Sequence, residues 1–212
     1  MAAFTNLEKC ALQHNSEELD LTPLQGLPKL QQVYLQDQFK QLHHLPSLTS
    51  LRCKDADITA TSNCNFGSIL QCLVLKNSLL QGIHAQGIQA CTALTELVLS
   101  AASLLDIAYN LYLDRDLVRV PDGMELLTRL CKLTLSTGRV QFSCRDTVET
   151  NLECITGITS LQDLSISCGN CCSDVIKHMT SLKNLTRLVV TGLCCVVHDF
   201  PTLTTDFDWC GM

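Results

Sequence analysis

One short arrangement of apolar and polar positions recurs along the chain. It reads aliphatic, two residues, leucine, two residues, aliphatic, one residue, aliphatic. Well-formed copies are Leu45-Pro-Ser-Leu48-Thr-Ser-Leu51-Arg-Cys53, Cys91-Thr-Ala-Leu94-Thr-Glu-Leu97-Val-Leu99 and Leu127-Thr-Arg-Leu130-Cys-Lys-Leu133-Thr-Leu135. The first copy begins at Phe4, and the fourth, Gly67 to Leu75, is weaker. Eight copies put their central aliphatic at Cys10, Val33, Leu51, Leu73, Leu97, Leu133, Leu164 and Leu188, separated by 23, 18, 22, 24, 36, 31 and 24 residues. The last two apolar positions of each copy lie two apart, so on an extended chain they share one face. Each copy therefore predicts a short strand with an apolar face inward and the intervening residues outward. The next buried position is expected five residues further on, where the chain turns back: Ile58, Leu80, Leu104, Val140, Cys171 and Cys195, with Lys40 beside Phe39 as the exception.

Most of these separations fall in or near the window of about 20–29 residues that leucine-rich repeats use. Over almost its whole length the chain resembles that family. The resemblance implies an α/β leucine-rich-repeat solenoid, with a curved parallel sheet on the concave side and helices or irregular segments on the convex side. About eight repeats would occupy 1–196, with insertions near 101–126 and 138–154, and 197–212 would form a C-terminal tail or partial cap. The stretch Ala108 to Leu113 reads as a degenerate copy or as part of the first insertion, which ends on the turn Pro121-Asp-Gly123. The family usually sets an asparagine two residues before the buried turn position. Asn15 fits, but later copies offer Gln38, Ala56, Ser78, Ala102, Gly138, Gly169 and Leu193. Turning backbone must then find partners in other backbone groups, Ser/Thr side chains or water.

Composition narrows the classes. Leucine supplies thirty-eight of the 212 residues, while 17% are charged and 5% aromatic. Such aliphatic content offsets the entropy of ordering the chain and excludes intrinsic disorder. The apolar run Leu188 to Val197 is interrupted by Thr191 and is too short to span a bilayer. A formal charge of −6 argues against nucleic-acid and anionic-membrane partners, which call for a basic face. The opening Met1 to Cys10 has no apolar signal region, so a cytoplasmic location is expected, with nuclear or cytoskeletal/axonemal ones as variants. Fourteen cysteines then read as reduced thiols, and the sequon at Asn184 as unused.

Candidate chemistry is sparse. Cys168, Cys171, Cys194 and His198 carry zinc-like spacing, but Cys53 and Cys91 fill apolar slots of the phrase, so cysteine acts here chiefly as a small hydrophobe. The adjacent pair His43-His44 reads as surface or packing. No phosphate loop, nucleophile elbow or zinc-protease motif occurs, so no catalytic residue, metal or cofactor is assigned. What remains is the outward strand face. There Tyr34, Arg52, Lys54, Lys76, Glu96, Lys132, Asp163 and Arg187 are the candidate protein-binding residues, with Tyr34 and Arg52 the best anchors because interface energy concentrates in such side chains. The expectation is a monomeric, non-enzymatic scaffold for a protein partner (a ubiquitin-ligase component, an immune-signalling protein or a cytoskeletal/axonemal one), part of a larger protein. A zinc- or redox-sensing repeat protein and a truncated, non-functional fragment are the alternatives.

Overall fold

The structure is a computed structural model, and it describes residues 4–13, 19–36, 39–40, 45, 47–54, 68–76, 88–101, 124–137, 153–171, 179 and 181–193. Eight of its strands are the eight copies of the phrase: β1 (Lys9–Gln13), β3 (Gln32–Gln36), β5 (Ser50–Lys54), β6 (Cys72–Lys76), β7 (Glu96–Ala101), β8 (Lys132–Thr137), β9 (Asp163–Cys171) and β10 (Arg187–Leu193). They form one parallel sheet in the order β1-β3-β5-β6-β7-β8-β9-β10. Register follows the phrase throughout: Cys10 opposes Val33, Val33 opposes Leu51, and the row continues through Leu73, Leu97, Leu133 and Leu164 to Leu188.

That register turns a one-dimensional repeat into columns. The central aliphatics from Val33 to Leu188 are buried, as are Leu35, Cys53, Leu75, Leu99, Leu135, Ile166 and Val190 two residues on. Upstream, Leu30, Leu48, Leu70, Leu94, Leu130 and Leu161 form a third column and Leu45, Cys91, Leu127, Ile158 and Leu182 a fourth. Each such side chain contributes about 1.5–3 kcal/mol on leaving water, so the spine is the dominant stabilising element. At the β1 end, Leu7, Cys10 and Leu12 are only partly buried, and the first leading residue, Phe4, is 64% exposed.

A fifth column was not foreseen from the phrase. Ile88, Met124, Ile155 and Met179, each three residues before a leading aliphatic, are buried as well, and Leu24 is partly so. The reason is a run of three-residue turns that carries the chain into each strand. The N–H of Cys91 donates to Ile88 O at 2.9 Å and that of Leu94 to Cys91 O at 2.9 Å, and the same bonds join Met124, Leu127 and Leu130, and Ile155, Ile158 and Leu161. At three residues per turn, residues three apart eclipse one another and face one way. The 3-10 turn Met124–Leu126, within the first expected insertion, and the α-helical turn Glu153–Thr156, at the end of the second, open two of these entries.

Two expected turns are strand backbone instead. Lys40 lies in β4 (Phe39–Lys40), which pairs in parallel with β2 (Leu19–Asp20) and so continues the stacking beyond the first turn. Cys171 ends β9 and opposes Leu193 rather than forming a corner. Between Ser167 and Cys171, β9 advances four residues while β10 advances two, from Thr191 to Leu193. The surplus residues include Gly169, a residue type that accommodates such an irregularity. The remaining turn positions Ile58, Leu80, Leu104, Val140 and Cys195 lie outside the described residues. So do Asn15, Gln38, Ala56, Ser78, Ala102, Gly138, His43-His44, residues 102–123 and 138–152, and the tail 194–212.

Candidate protein-binding face

The outward side chains of the eight strands stand in three rows set by the same register. One row runs Lys9, Gln32, Ser50, Cys72, Glu96, Lys132, Asp163, Arg187, and the middle row Ala11, Tyr34, Arg52, Val74, Val98, Thr134, Ser165, Val189. The third runs Gln13, Gln36, Lys54, Lys76, Ser100, Ser136 and Ser167, and the backbone of Thr191 pairs with Ser167. All eight sequence-predicted residues are on this face. Tyr34 is directly opposite Arg52, and Lys54 is directly opposite Lys76.

Glu96, Lys132, Asp163 and Arg187 make a second group with alternating charge. Lys132 Nζ reaches Glu96 Oε1 at 3.0 Å, and Arg187 Nη1 reaches Asp163 Oδ2 at 3.2 Å. The Lys132 ammonium, through its hydrogen bond, is the main force holding the Glu96 carboxyl below its ordinary value, and partial burial opposes it. A carboxyl depressed in the folded state adds stability above its unfolded value, near pH 4.5, and loses it as pH falls through the folded value. Because the pair is largely open to solvent, a cycle of Glu96→Gln and Lys132→Met should return a coupling of about 0.2–1 kcal/mol at neutral pH. Urea midpoints should show that coupling fading both in about 1 M salt and as pH falls from neutral through the folded value of the carboxyl. A coupling that is insensitive to salt and survives protonation of the carboxyl would show that the carboxylate is not its source.

Sequence reasoning did not single out Cys72. Its Sγ donates to Glu96 Oε2 at 3.5 Å, and Ser50 and Arg52 also act on it. A thiol beside a carboxylate suggests nucleophile and base, but the electrostatics run the other way. Burial first, and the Glu96 charge as well, push the Cys72 thiol up, while the attacking species in cysteine chemistry is the thiolate. The arrangement protects a protonated thiol. Val74, an outward position of the middle row, is nonetheless only 7% exposed.

A shallow groove of about 720 Å³ follows the rim where β7 to β10 begin, beside Thr95, Arg129, Ser160 and Asn184. Its polar groups are engaged with neighbouring backbone: Thr95 Oγ1 donates to Gln71 O at 3.0 Å, Ser160 Oγ to Leu130 O at 2.8 Å and Asn184 Nδ2 to Thr159 O at 2.7 Å. These bonds stitch successive repeats together. They are side-chain bonds to backbone ahead of the strands, whereas the family's asparagines lie after them. Among the described residues no group of three or more His, Cys, Asp or Glu could hold a metal ion. The backbones of Cys168 and Cys171 are in β9, but their side chains, and Cys194 and His198 altogether, lie outside the described residues.

No protein-family model matches the sequence, and no curated protein matches it. Solved structures do match the fold. A leucine-rich-repeat protein of Leptospira interrogans superposes with a TM-score of 0.56 at 19% identity, over 89% of this chain and 44% of that one. TLR13, in its crystal complex with ssRNA13, superposes with a TM-score of 0.55 at 17% identity, over 90% of this chain and 30% of that one. The chain spans less than half the length of either. Together with the open eight-stranded parallel sheet, these likenesses establish the leucine-rich-repeat solenoid fold that the repeated phrase implied.

Proposed function

We propose that the chain is a non-enzymatic interaction scaffold that holds a protein partner against the outward, concave face of its sheet, with Tyr34 and Arg52 as anchors. The observation that carries this reading is continuity: eight parallel strands, in register over the repeated phrase, present one surface. At about 4.8 Å between strands and ~3.3 Å per residue, that surface measures about 34 Å by about 16 Å. Its projection, ~500 Å², is of the same order as the ~800 Å² per partner of a standard interface. The chemistry favours binding over turnover, since the one thiol–carboxylate pair described on the face is tuned away from reactivity. The formal charge of −6 favours a protein over a phosphate backbone. Cys10, Cys53, Cys72, Cys91 and Cys131 carry thiols rather than disulfides, which suits the reducing cytoplasm we propose as its location.

Affinity capture from cell lysate with quantitative mass spectrometry tests the reading. Truncating a central aromatic or arginine anchor typically weakens an interface by ~2 kcal/mol or more. The Tyr34→Ala/Arg52→Ala variant should therefore lose its principal protein partner at least tenfold relative to the unaltered chain. Retention of every partner by that variant, and by Thr134→Arg at the centre of the face, would refute the concave docking mode.

A further inference from the structure

We propose that the protein forms a closed two-fold dimer, in which β1 pairs antiparallel with β1 of a second copy and joins the two sheets into one. This goes beyond the scaffold reading and replaces the monomer expected from sequence. The two ends of the sheet differ in how well the spine is covered. At the β10 end the columns finish on Leu182, Leu188 and Val190, which are 6%, 5% and 8% exposed. Their counterparts in the first repeat are Phe4, Cys10 and Leu12. Phe4 is 64% exposed, and Cys10 and Leu12 are only partly buried. Among the described strands β1 has β3 on one side and none on the other. Uncovered apolar columns and an open strand edge therefore coincide, the condition under which a sheet recruits a further strand.

The occupant follows from the backbone groups that this edge presents. Glu8 O accepts the N–H groups of Gln31 and Gln32, at 2.9 and 3.0 Å, so Glu8 directs its backbone towards β3. Backbone groups alternate in direction along a strand. Cys10 and Leu12 thus face β3 as well, and Lys9, Ala11 and Gln13 turn theirs to the open edge. A two-fold axis through Ala11 sets Lys9 opposite Gln13 of the second copy, and Ala11 opposite its own counterpart. In an antiparallel ladder these are the pairs that exchange both of their hydrogen bonds. Between them Cys10 meets Leu12 of the second copy in the closer kind of pair, at a Cα separation of about 4.5 Å. Both side chains lie on the inward face, so the apolar columns continue across the junction.

A two-fold contact requires a surface that complements itself, and β1 has that pattern. Alanine, the smallest side chain of the strand, stands on the axis where a residue meets its own copy. Lys9, the only charge on β1, meets a neutral amide. Centring the axis on Lys9 would set the two ammonium groups against each other, and centring it on Cys10 or Leu12 would shorten the ladder. The lysine thus discourages other pairings of the edge and permits this one. A head-to-tail stack would need the β10 end, whose columns are already covered. A five-residue ladder is about 16 Å long and buries less than the ~1,200 Å² of a stable interface, so the association is reversible.

Sedimentation equilibrium of the full chain between about 5 and ~500 µM is the test, and a dissociation constant of about 10–100 µM is expected. Ala11→Lys, at an exposed outward position, should weaken the dimer at least tenfold and leave the urea midpoint of the dilute protein unchanged. Ala11→Pro removes an edge-facing N–H and should act in the same way. Gln13→Glu sets a carboxylate opposite each Lys9 and should tighten the dimer several-fold in about 50 mM salt, while Gln13→Lys should loosen it by a similar factor. Gln162→Lys, the same charge change at an exposed residue before β9, should leave it within twofold. Amide exchange at Lys9, Ala11 and Gln13 should slow as the protein is concentrated. A chain that stays monomeric at ~500 µM, or that grows without limit, would overturn the proposal. So would a dimer indifferent to Ala11→Lys and to both Gln13 substitutions.

Discussion

Leu97→Ala should destabilise the chain by about 2–5 kcal/mol, and hydrogen exchange should show protection lost first in β6, β7 and β8 rather than everywhere at once. Leu97 is fully buried at the centre of the eight-stranded sheet, opposed by Leu73 on one side and Leu133 on the other. Removing three carbons there leaves a cavity whose walls belong to three successive repeats. Leu94, Leu99 and Cys91 belong to the same repeat and are buried too, so collapse around the gap is restricted. In a solenoid each repeat touches only its neighbours, so stability adds along the stack as unit and interface contributions. Weakening the central unit therefore divides the array into two shorter ones, each with fewer interfaces to hold it. Urea unfolding of Leu97→Ala should accordingly be less cooperative than that of the unaltered chain. Uniform loss of protection from β1 to β10 would mean that the chain folds as one indivisible unit, contrary to the nearest-neighbour picture.

The ease of reading this fold from sequence depended on which residues were asked to carry it. Positions such as Val33, Leu51 and Leu164 were legible because strand alternation and sheet register obey one rule, so aligning the phrases aligned the strands. All eight candidate residues on the outward face followed from the same alignment, since a side chain beside an inward leucine must point out. Ile88, Met124, Ile155 and Met179 were not found. Their signal is a three-residue period lasting only two turns, and the separations of 36 and 31 residues drew attention to loops just where Met124 and Ile155 begin the next repeat. Cys171 was misplaced because a fixed offset of five assumes a corner after every strand, while β9 and β10 run on past it. The pairing of Cys72 with Glu96 was illegible for another reason. Twenty-four residues separate them, and only the register of β6 on β7 makes them neighbours.

Cys91 offers the strongest pH-dependent prediction. It fills the leading aliphatic position of the fifth copy and is fully buried, with its N–H on Ile88 O and its carbonyl accepting from Leu94. Burial pushes the thiol from 9.0 up to about 12, because a thiolate there would lose its hydration. The folded chain therefore keeps its proton at a pH where the unfolded chain releases it. A raised value of this kind contributes stability that is complete below pH 9 and lost as pH rises towards 12. Over that interval the unaltered chain should lose stability faster than Cys91→Ala, by up to about 1.4 kcal/mol per pH unit. The alanine variant starts lower, since it gives up the packing of Sγ, so the two curves should converge with alkalinity. Other groups that titrate in this range are common to both chains and cancel in the difference. Native-state alkylation gives an independent check. At pH 8 a thiol with a value near 12 is ionised in only about one molecule in ten thousand. Cys131, half-exposed on the rim, should react readily while Cys91 waits for its repeat to open. Parallel stability curves, or equal labelling of the two cysteines, would mean that the fifth repeat does not exclude water, and the aliphatic spine would then be broken at its middle.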